Sequence, residues 1–351
     1  MASRKGYKVN LYDRCAGLLS DSPAASTVIV VGSESSRTPH ILQDLKKAQW
    51  QIVVTNVDAD HIDAHYSCAT FSRRIITEQM LDHLLNKGCR RIAMVGLGQR
   101  SFNDMVHQDA MAQYLLKYPY AEGACFEYQN RIDESFNAFY AMRDGFDAVL
   151  CPNAFVAVAF LHFCEEKGIV VPNDLLVACM KDHSIGRYCK PSLTSLAVDF
   201  FAIGEQSVIV WQYLQEEGNE RFRMRIAIQG HVIERESTGT ALGEGAQSLA
   251  NDGTLDGKYE GGPFYTDPEL QALMSLERCL QNCDELDLRI IRLLLDGEHY
   301  DAISEQLYLG DSSLQYRVRK IFHSAQTKSR DEFIRLMRNS FTRNTHFGEE
   351  E

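Results

Sequence analysis

The C-terminal end of this 351-residue chain concentrates basic side chains whose charge suits binding to a polyanion. From Ser312 to Arg343, eight lysines and arginines stand against two acidic residues, a local charge of +6. The whole chain carries −12, which leaves −18 for the remainder. A basic patch on an acidic protein is the electrostatic footprint of nucleic-acid binding. The competing interpretation is a solvated helix face, the usual meaning of a charge run.

Other groupings of reactive side chains are weaker. The most compact group of possible metal ligands comprises Asp58, Asp60, His61, Asp63 and His65. Two histidines four residues apart could bind zinc on a helix, but an irregular loop is favoured and no second cluster completes a ligand set. The sequence has no phosphate loop and no Gly-x-Ser-x-Gly motif, and nothing implies a base beside Cys151 or Cys179. We therefore predict no enzyme, no metal site and no cofactor.

Cysteine usage and hydropathy indicate the compartment. Ten cysteines are scattered without a Cys-x-x-Cys pair, which is typical of reduced thiols in the cytoplasm. The longest apolar run, residues 154–161, is too short to span a bilayer. Arg4 and Lys5 are not followed by the apolar segment of a secretory signal. The prediction is a cytoplasmic protein without a membrane partner.

The helices that must position the basic side chains are predicted at Asp287–Asp296, Tyr300–Leu307 and Ser312–Phe322. Apolar residues recur at helical spacing in each. Gly297 suits the end of the first helix because glycine accepts positive φ. Asp311 or Ser312 is expected to cap the third helix. Two short helices joined by a tight turn, the second of them basic, form the helix-turn-helix pattern.

The same stretch resembles the LuxR-type DNA-binding domain in its apolar framework and in the run Ser313-Leu314-Gln315-Tyr316-Arg317. That family usually has Thr-Val-Lys-x-His there, and the glutamate usual early in its first helix falls on Arg289. The base preference cannot be read from the run. The resemblance implies that five side chains face double-stranded DNA, namely Ser313, Gln315, Arg317, Arg319 and Lys320.

From residue 1 to about residue 240, short β-branched runs alternate with helical periodicity. This alternation predicts an α/β fold with parallel sheets and helices on both faces. The predicted strands are Tyr7–Tyr12, Thr27–Gly32, Gln51–Asn56, Arg91–Gly96, Cys125–Tyr128, Ala148–Cys151, Leu175–Met180, Leu193–Val198 and Ala227–Glu234. The predicted helices are His40–Ala48, Arg73–Asn86, Asn103–Lys117, Glu134–Arg143, Phe155–Lys167 and Phe201–Glu216.

Four segments of this region resemble the effector-binding domain of the lactose/galactose repressor family: residues 86–96, 165–182, 190–208 and 232–239. The resemblance implies a two-lobed, periplasmic-binding-protein-like fold with a small molecule in the cleft. Lobe 1 is expected at about residues 1–97 and 198–222, and lobe 2 at about residues 98–197 and 223–240. The three crossovers are expected near Gly96–Arg100, Ala197–Asp199 and Arg221–Arg225.

The start of the chain departs from that family. Its domain normally opens with a strand and a full helix, preceded by a DNA-binding headpiece, and these have no counterpart before Gly6-Tyr7. A first strand in the interior of the first sheet is therefore expected to be missing. Either the start is truncated or another segment fills the gap.

Five cleft positions follow from the resemblance: His107, Asn153, Lys181, Asp182 and Asp199. Lys181 stands where an aspartate of the family would accept hydrogen bonds from sugar hydroxyls, and a lysine can only donate. An anionic or otherwise different effector is therefore favoured over a neutral sugar, although a sugar-derived one stays open. The alternative is that these are solvated loop residues in a sensor that has lost its ligand.

The two domains are expected to be joined by a glycine-rich flexible linker at residues 241–265 and a connecting helix at residues 266–282. Thr266 is predicted to cap that helix, with Glu269 completing a capping box. Its apolar stripe either packs on the DNA-binding helices or forms a dimer. Residues 283–343 are the predicted small all-α helix-turn-helix domain, and residues 344–351 a disordered tail.

Together these features predict a cytoplasmic transcriptional regulator in which an α/β effector domain controls a C-terminal helix-turn-helix. A single such domain reads one half-site, so a homodimer is expected. The alternative is a small-molecule-binding or protein-interaction module with no DNA role.

Overall fold

In a computed structural model of the chain, the described residues are 6–12, 17–18, 27–31, 38–55, 65–99, 101–216, 221–239 and 263–341. The strands are β1 (Thr27–Val31), β2 (Gln51–Thr55), β3 (Ser67–Thr70), β4 (Arg91–Gly98), β5 (Glu122–Tyr128), β6 (Ala148–Cys151), β7 (Leu176–Cys179), β8 (Thr194–Ala197), β9 (Arg225–Ala227) and β10 (His231–Ile233). The α-helices are α1 (Thr38–Lys47), α2 (Arg73–Asn86), α3 (Phe102–Lys117), α4 (Ile132–Tyr140), α5 (Ala154–Lys167), α6 (Ser184–Tyr188), α7 (Phe200–Gln215), α8 (Pro263–Thr266), α9 (Pro268–Gln281), α10 (Glu285–Leu295), α11 (Tyr300–Gln306), α12 (Asp311–Ser324) and α13 (Arg330–Ser340).

The first lobe is built on a four-stranded sheet in the order β1-β2-β3-β9, with every pair parallel. Helix α7 packs against this sheet, and α1 packs against β2. Val53 of β2 is fully buried as a result, whereas Val31 at the β1 edge is 70% exposed.

The second lobe is built on a six-stranded sheet in the order β10-β8-β7-β6-β4-β5, in which the β10–β8 pair is antiparallel and the others are parallel. Every residue of β6 is buried, as expected for a parallel strand with helices over both faces. Helix α5 is buried from Ala154 to Leu161, which accounts for a sequence that is apolar all round. The α/β class with parallel sheets that the sequence predicts is confirmed.

Helices α8 to α13 are joined to the second lobe through a common hydrophobic core. Leu270, Leu273 and Leu276 of α9 belong to the same buried cluster as Phe160 of α5 and Val318 of α12. Of the two packing alternatives for the α9 stripe, these contacts favour packing inside the chain. Among the described helices, none has the length and hydropathy needed to cross a bilayer.

Two strand predictions were wrong, and one strand was missed. Residues 7–12 form no strand, and Tyr7 instead packs edge-on against Trp211 at 4.7 Å between ring centroids. Strand β3 was missed because Ser67–Thr70 has little of the β-branched apolar character of its neighbours. The single strand expected at Ala227–Glu234 is two strands in different sheets, since the chain turns through Gly230 between them.

The boundaries between the lobes also differ from expectation. Strand β4 lies in the six-stranded sheet, and α2 packs on α3 and β10 of the same lobe. The first crossover therefore lies after β3 and before α2, well upstream of Gly96. Strand β9 lies in the four-stranded sheet, so the third crossover falls between β9 and β10. Gly96 marks a bulge in β4 instead, with φ of +82°, where an added Cβ would lie 2.2 Å from Val156 Cγ1.

Candidate functional site

Cationic and aromatic side chains meet where the two sheets face each other. Phe71 follows β3 of the first lobe, and its ring lies 5.7 Å from that of Phe200, the first residue of α7. The guanidinium of Arg73 lies 4.9 Å from the Phe71 ring centroid. From the second lobe, Lys181 follows β7 and its Nζ lies 5.4 Å from the centroid of Phe200. These residues follow the carboxyl ends of parallel strands, the position at which such sheets bind ligands.

The Lys181 side chain is exposed overall, although protein atoms surround its ammonium group. Burial lowers the pKa of Lys181, the charge of Arg73 lowers it further, and Glu277 opposes both. Arg73 itself is buried. The two cations are therefore close enough to influence one another.

The expected cleft residue His107 is buried, and its Nδ1 lies 2.7 Å from the Thr77 hydroxyl. Burial lowers the pKa of His107 to about 3, with a further contribution from Arg73. Its imidazole is neutral at physiological pH. Nearby Asp104 accepts a hydrogen bond from Gly98 N at 2.8 Å, and burial raises the pKa of this carboxyl to about 6.

Three other expected cleft residues make bonds within the protein. The Asn153 side chain accepts from Val156 N and begins α5, and the Asp199 carboxylate accepts from Ala202 N and begins α7. Asp182 is 4% exposed, and its Oδ1 accepts from Arg235 Nη1 at 2.8 Å.

The outward face of α12 carries three of the five side chains expected at DNA. Ser313, Gln315 and Arg319 are exposed, while Leu314 and Val318 on the opposite side are buried. Asp311 and Ser312 do not cap this helix: Gly310 occupies the N-cap position, and no side chain bonds there.

The other two expected DNA contacts, Arg317 and Lys320, are bound to α10 and to its N-cap residue. Arg317 Nη1 lies 2.6 Å from Asp287 and 2.8 Å from Asp284, and Lys320 Nζ lies 2.9 Å from Asp287. Asp287 is fully buried. The Arg317 guanidinium lowers the pKa of Asp284. These two cations stabilise the packing of α12 on α10.

Buried carboxylates attach α9 to the second lobe. Glu277 is fully buried and accepts from Ser184 N at 3.0 Å and from Ile185 N at 2.7 Å, directly after the loop that carries Lys181. Burial raises the pKa of Glu277, and these two amides oppose the shift. Asp267 accepts from Ile132 N at 3.2 Å while it caps α9.

Sequence reasoning missed the residues that make these connections: Phe71, Arg73, Phe200, Asp267, Glu277 and Asp287. One signal was available, because an acidic residue within an otherwise apolar helical stripe, such as Glu277, must bond inside the fold or lie at a surface. The group of possible metal ligands, for which no site is predicted, lies mostly outside the described residues, and His65 at its end is exposed.

A separate groove of about 620 Å³ lies between α9 and α13. Its walls include Met274, Arg278 and Arg335, and it contains none of the expected site residues.

Comparison with known proteins finds similarity in the α/β part of the chain. Residues 81–238 match the family model described as a periplasmic binding protein-like domain. Catabolite control protein A of Staphylococcus xylosus is 22% identical over 179 residues, which cover 49% of this chain and 53% of that protein. The chain thus spans about half the length of this curated relative.

Solved structures show the same fold. A LacI family transcriptional regulator from Bifidobacterium animalis subsp. lactis has a TM-score of 0.55 at 17% identity, covering 68% of this chain and 90% of that one. A LacI family transcriptional regulator from Enterococcus faecium with bound ribose has a TM-score of 0.53 at 17% identity, covering 68% and 89%. Both of these solved structures are of LacI family transcriptional regulators, and they share the α/β fold of this chain.

Proposed function

We propose that this chain is a ligand-responsive, DNA-binding transcriptional regulator. A small molecule between the lobes changes how a dimer presents two copies of α12 to duplex DNA. The observation that carries the proposal is the division of α12 into two sides. Its polar side, with Ser313, Gln315 and Arg319, faces solvent, and its apolar side belongs to the core shared with the second lobe.

The arrangement of α11 and α12 supports a helix-turn-helix role. Helix α11 ends at Gln306, and four residues separate it from α12. In such motifs the second helix enters the major groove and its outward side chains contact base edges. Gln315 and Arg319 are suited to this, because amide and guanidinium groups form bidentate bonds with adenine and guanine.

Effector control follows from the attachment of α9. The glycine-rich linker predicted at residues 241–265 would transmit movement of the lobes poorly if it were flexible. Most of this segment lies outside the described residues. Glu277 instead bonds the backbone that follows Lys181, so α9 moves with the second lobe. Closure of the lobes would then reorient α12, and two copies in a dimer would change their spacing.

The experiment is a selection of duplexes from a randomised pool, followed by fluorescence anisotropy titrations of the selected sequence. Arg319→Ala is expected to weaken binding by about 1–3 kcal/mol, the cost of one lost base contact. Arg74→Ala, an exposed arginine on α2, is the matched control and should leave affinity unchanged. If no duplex is enriched, or if both substitutions act equally, the DNA-binding proposal is wrong and an interaction module becomes the better description.

A further inference from the structure

The outward face of α12 carries an aromatic side chain that the family resemblance does not place at DNA. Tyr316 is 71% exposed on this helix. Resting on the DNA-binding role proposed above, we propose that Tyr316 is a specificity-determining residue, and that its ring contacts the C5-methyl group of a thymine in the major groove.

The position of Tyr316 on the helix is the first step. Leu314, Val318 and Ile321 are buried and mark the side of α12 that packs on the core. Successive residues of an α-helix lie about 100° apart, so Tyr316 lies almost opposite the middle of that buried side. Arg319 is exposed three residues further along and lies on the same outward strip. Tyr316 is therefore near the centre of the face that would enter a groove.

The exposure of the tyrosines is the second step. Among the described residues, the two most exposed tyrosines are Tyr308 at 96% and Tyr316 at 71%, and both lie in the stretch formed by the turn and α12. Four less exposed tyrosines each contact another ring or a cation within the chain: Tyr7, Tyr120, Tyr140 and Tyr300. In the part of the chain that the structure describes, Tyr316 makes no contact of this kind. Its ring is thus available to a partner.

The chemistry of the neighbouring side chains is the third step. Gln315 and Arg319 are exposed beside Tyr316, and their amide and guanidinium groups suit hydrogen bonds with adenine and guanine. Thymine is distinguished in the major groove by a methyl group, which these polar groups do not recognise. An exposed ring that covers this methyl group removes apolar surface of both partners from water. Tyr316 therefore supplies the apolar contact that its polar neighbours lack.

The test starts from the duplex enriched in the selection described above and replaces its thymines by uracil, one at a time. Uracil lacks only the C5-methyl group, so its pairing with adenine is unchanged. Fluorescence anisotropy titrations compare the affinities. We expect one replacement to weaken binding of wild type by about fourfold, the effect of exposing one apolar carbon.

Tyr316→Ala should bind the thymine duplex about tenfold more weakly than wild type, because the buried ring is lost. It should also bind the thymine and uracil duplexes equally at the position that wild type distinguishes. Tyr316→Phe keeps the ring and should keep that difference. A contact made through the hydroxyl would instead be lost in Tyr316→Phe, and this result would overturn the proposal.

Tyr308→Ala is the matched control, because Tyr308 is an exposed tyrosine in the turn before α12. A contact from the turn to a phosphate carries no base information, so the difference between thymine and uracil should stay as in wild type. Wild type that binds every uracil duplex as tightly as the thymine duplex, or an unchanged difference in Tyr316→Ala, would overturn the thymine contact alone. If no duplex is enriched at all, DNA binding and this contact fail together.

Discussion

At the scale of single residues, the fold determines which charged groups remain available for function. Arg317 and Arg319 are two positions apart in one basic run, yet Arg317 bonds Asp284 and Asp287 while Arg319 is exposed. The sequence predicts the positive charge of this stretch, but not which cations pair with the acidic residues at the start of α10. Removing one partner of a buried ion pair leaves an uncompensated charge. Arg317→Ala would therefore lower the stability of the fold as well as remove a proposed DNA contact, and Arg319 is the better probe of the proposal.

His107 provides a residue-scale prediction of pH dependence. Its pKa is about 3 in the folded chain and 6.5 ordinarily, so the unfolded chain binds a proton that the folded chain does not. The contribution of the neutral His107 imidazole to the free energy of unfolding is fully present above pH 6.5 and is lost progressively as the pH falls below 6.5. The slope is at most about 1.4 kcal/mol per pH unit. We expect the free energy of unfolding of wild type to fall more steeply than that of His107→Asn from pH 6.5 to about pH 5.

Urea unfolding at a series of pH values measures this difference. The slope is the readout, because loss of the bond to Thr77 shifts the variant by a constant amount that does not depend on the histidine proton. If the free energy of unfolding fell in parallel with pH for wild type and His107→Asn, His107 would have the same pKa in the folded and the unfolded chain, contrary to the prediction.

At the scale of elements, α9 shows how local and long-range bonds together fix a helix end. The predicted cap, Thr266, was wrong, although Asp267 beside it is also a residue type that caps helices. The structure selects Asp267, because its carboxylate also accepts from Ile132 N of α4. Thr266 instead lies in α8, and its hydroxyl donates to Pro263 O at 3.3 Å. The long-range bond decides between neighbours that are locally equivalent.

Asp267→Ala is therefore expected to lower the free energy of unfolding by about 1–3 kcal/mol, since it removes a helix cap and leaves a buried amide unpaired. Thr266→Ala is the matched control and should change it by less than about 0.5 kcal/mol. Chemical denaturation of both variants measures the difference. If Thr266→Ala lowered the free energy of unfolding more than Asp267→Ala, Thr266 would be the cap, as the sequence predicts.

Most helices and the buried strands could be predicted from the sequence, because their apolar periodicity is local. Helix α2, for example, was predicted with the bounds it has. Strand β3 could not be predicted, since Ser67–Thr70 becomes a strand through pairing with β2 and β9. The crossovers were misplaced for the same reason, because sheet membership depends on pairing between distant segments. The expected cleft residue Lys181 stays a prediction, and the sequence does not single out Arg73, which lies over the Phe71 ring at the end of the unpredicted strand β3.

At the scale of the whole molecule, the buried clusters do not follow the expected domain boundaries. One cluster joins strands and helices of the second lobe to α9, α10, α12 and α13. Another joins residues of both sheets, including Val53 and Met94. A third, which contains Leu42, is confined to the first lobe. The α/β domain and the C-terminal helices are therefore expected to unfold together, although the sequence separates them by a glycine-rich segment.

A matched pair of leucine substitutions tests this cooperativity by native-state hydrogen exchange. Leu273 and Leu42 are each 1% exposed, and Leu→Ala at such sites costs about 2–5 kcal/mol. Leu273→Ala is expected to lower the protection of amides in β6 and in α12 by the same amount, because both depend on one core. Leu42→Ala should reduce protection in β2 and leave β6 and α12 less affected. If Leu273→Ala lowered the protection of amides in α12 but not in β6, the C-terminal helices would open independently of the second lobe. A movement of the second lobe would then not be transmitted rigidly to α12.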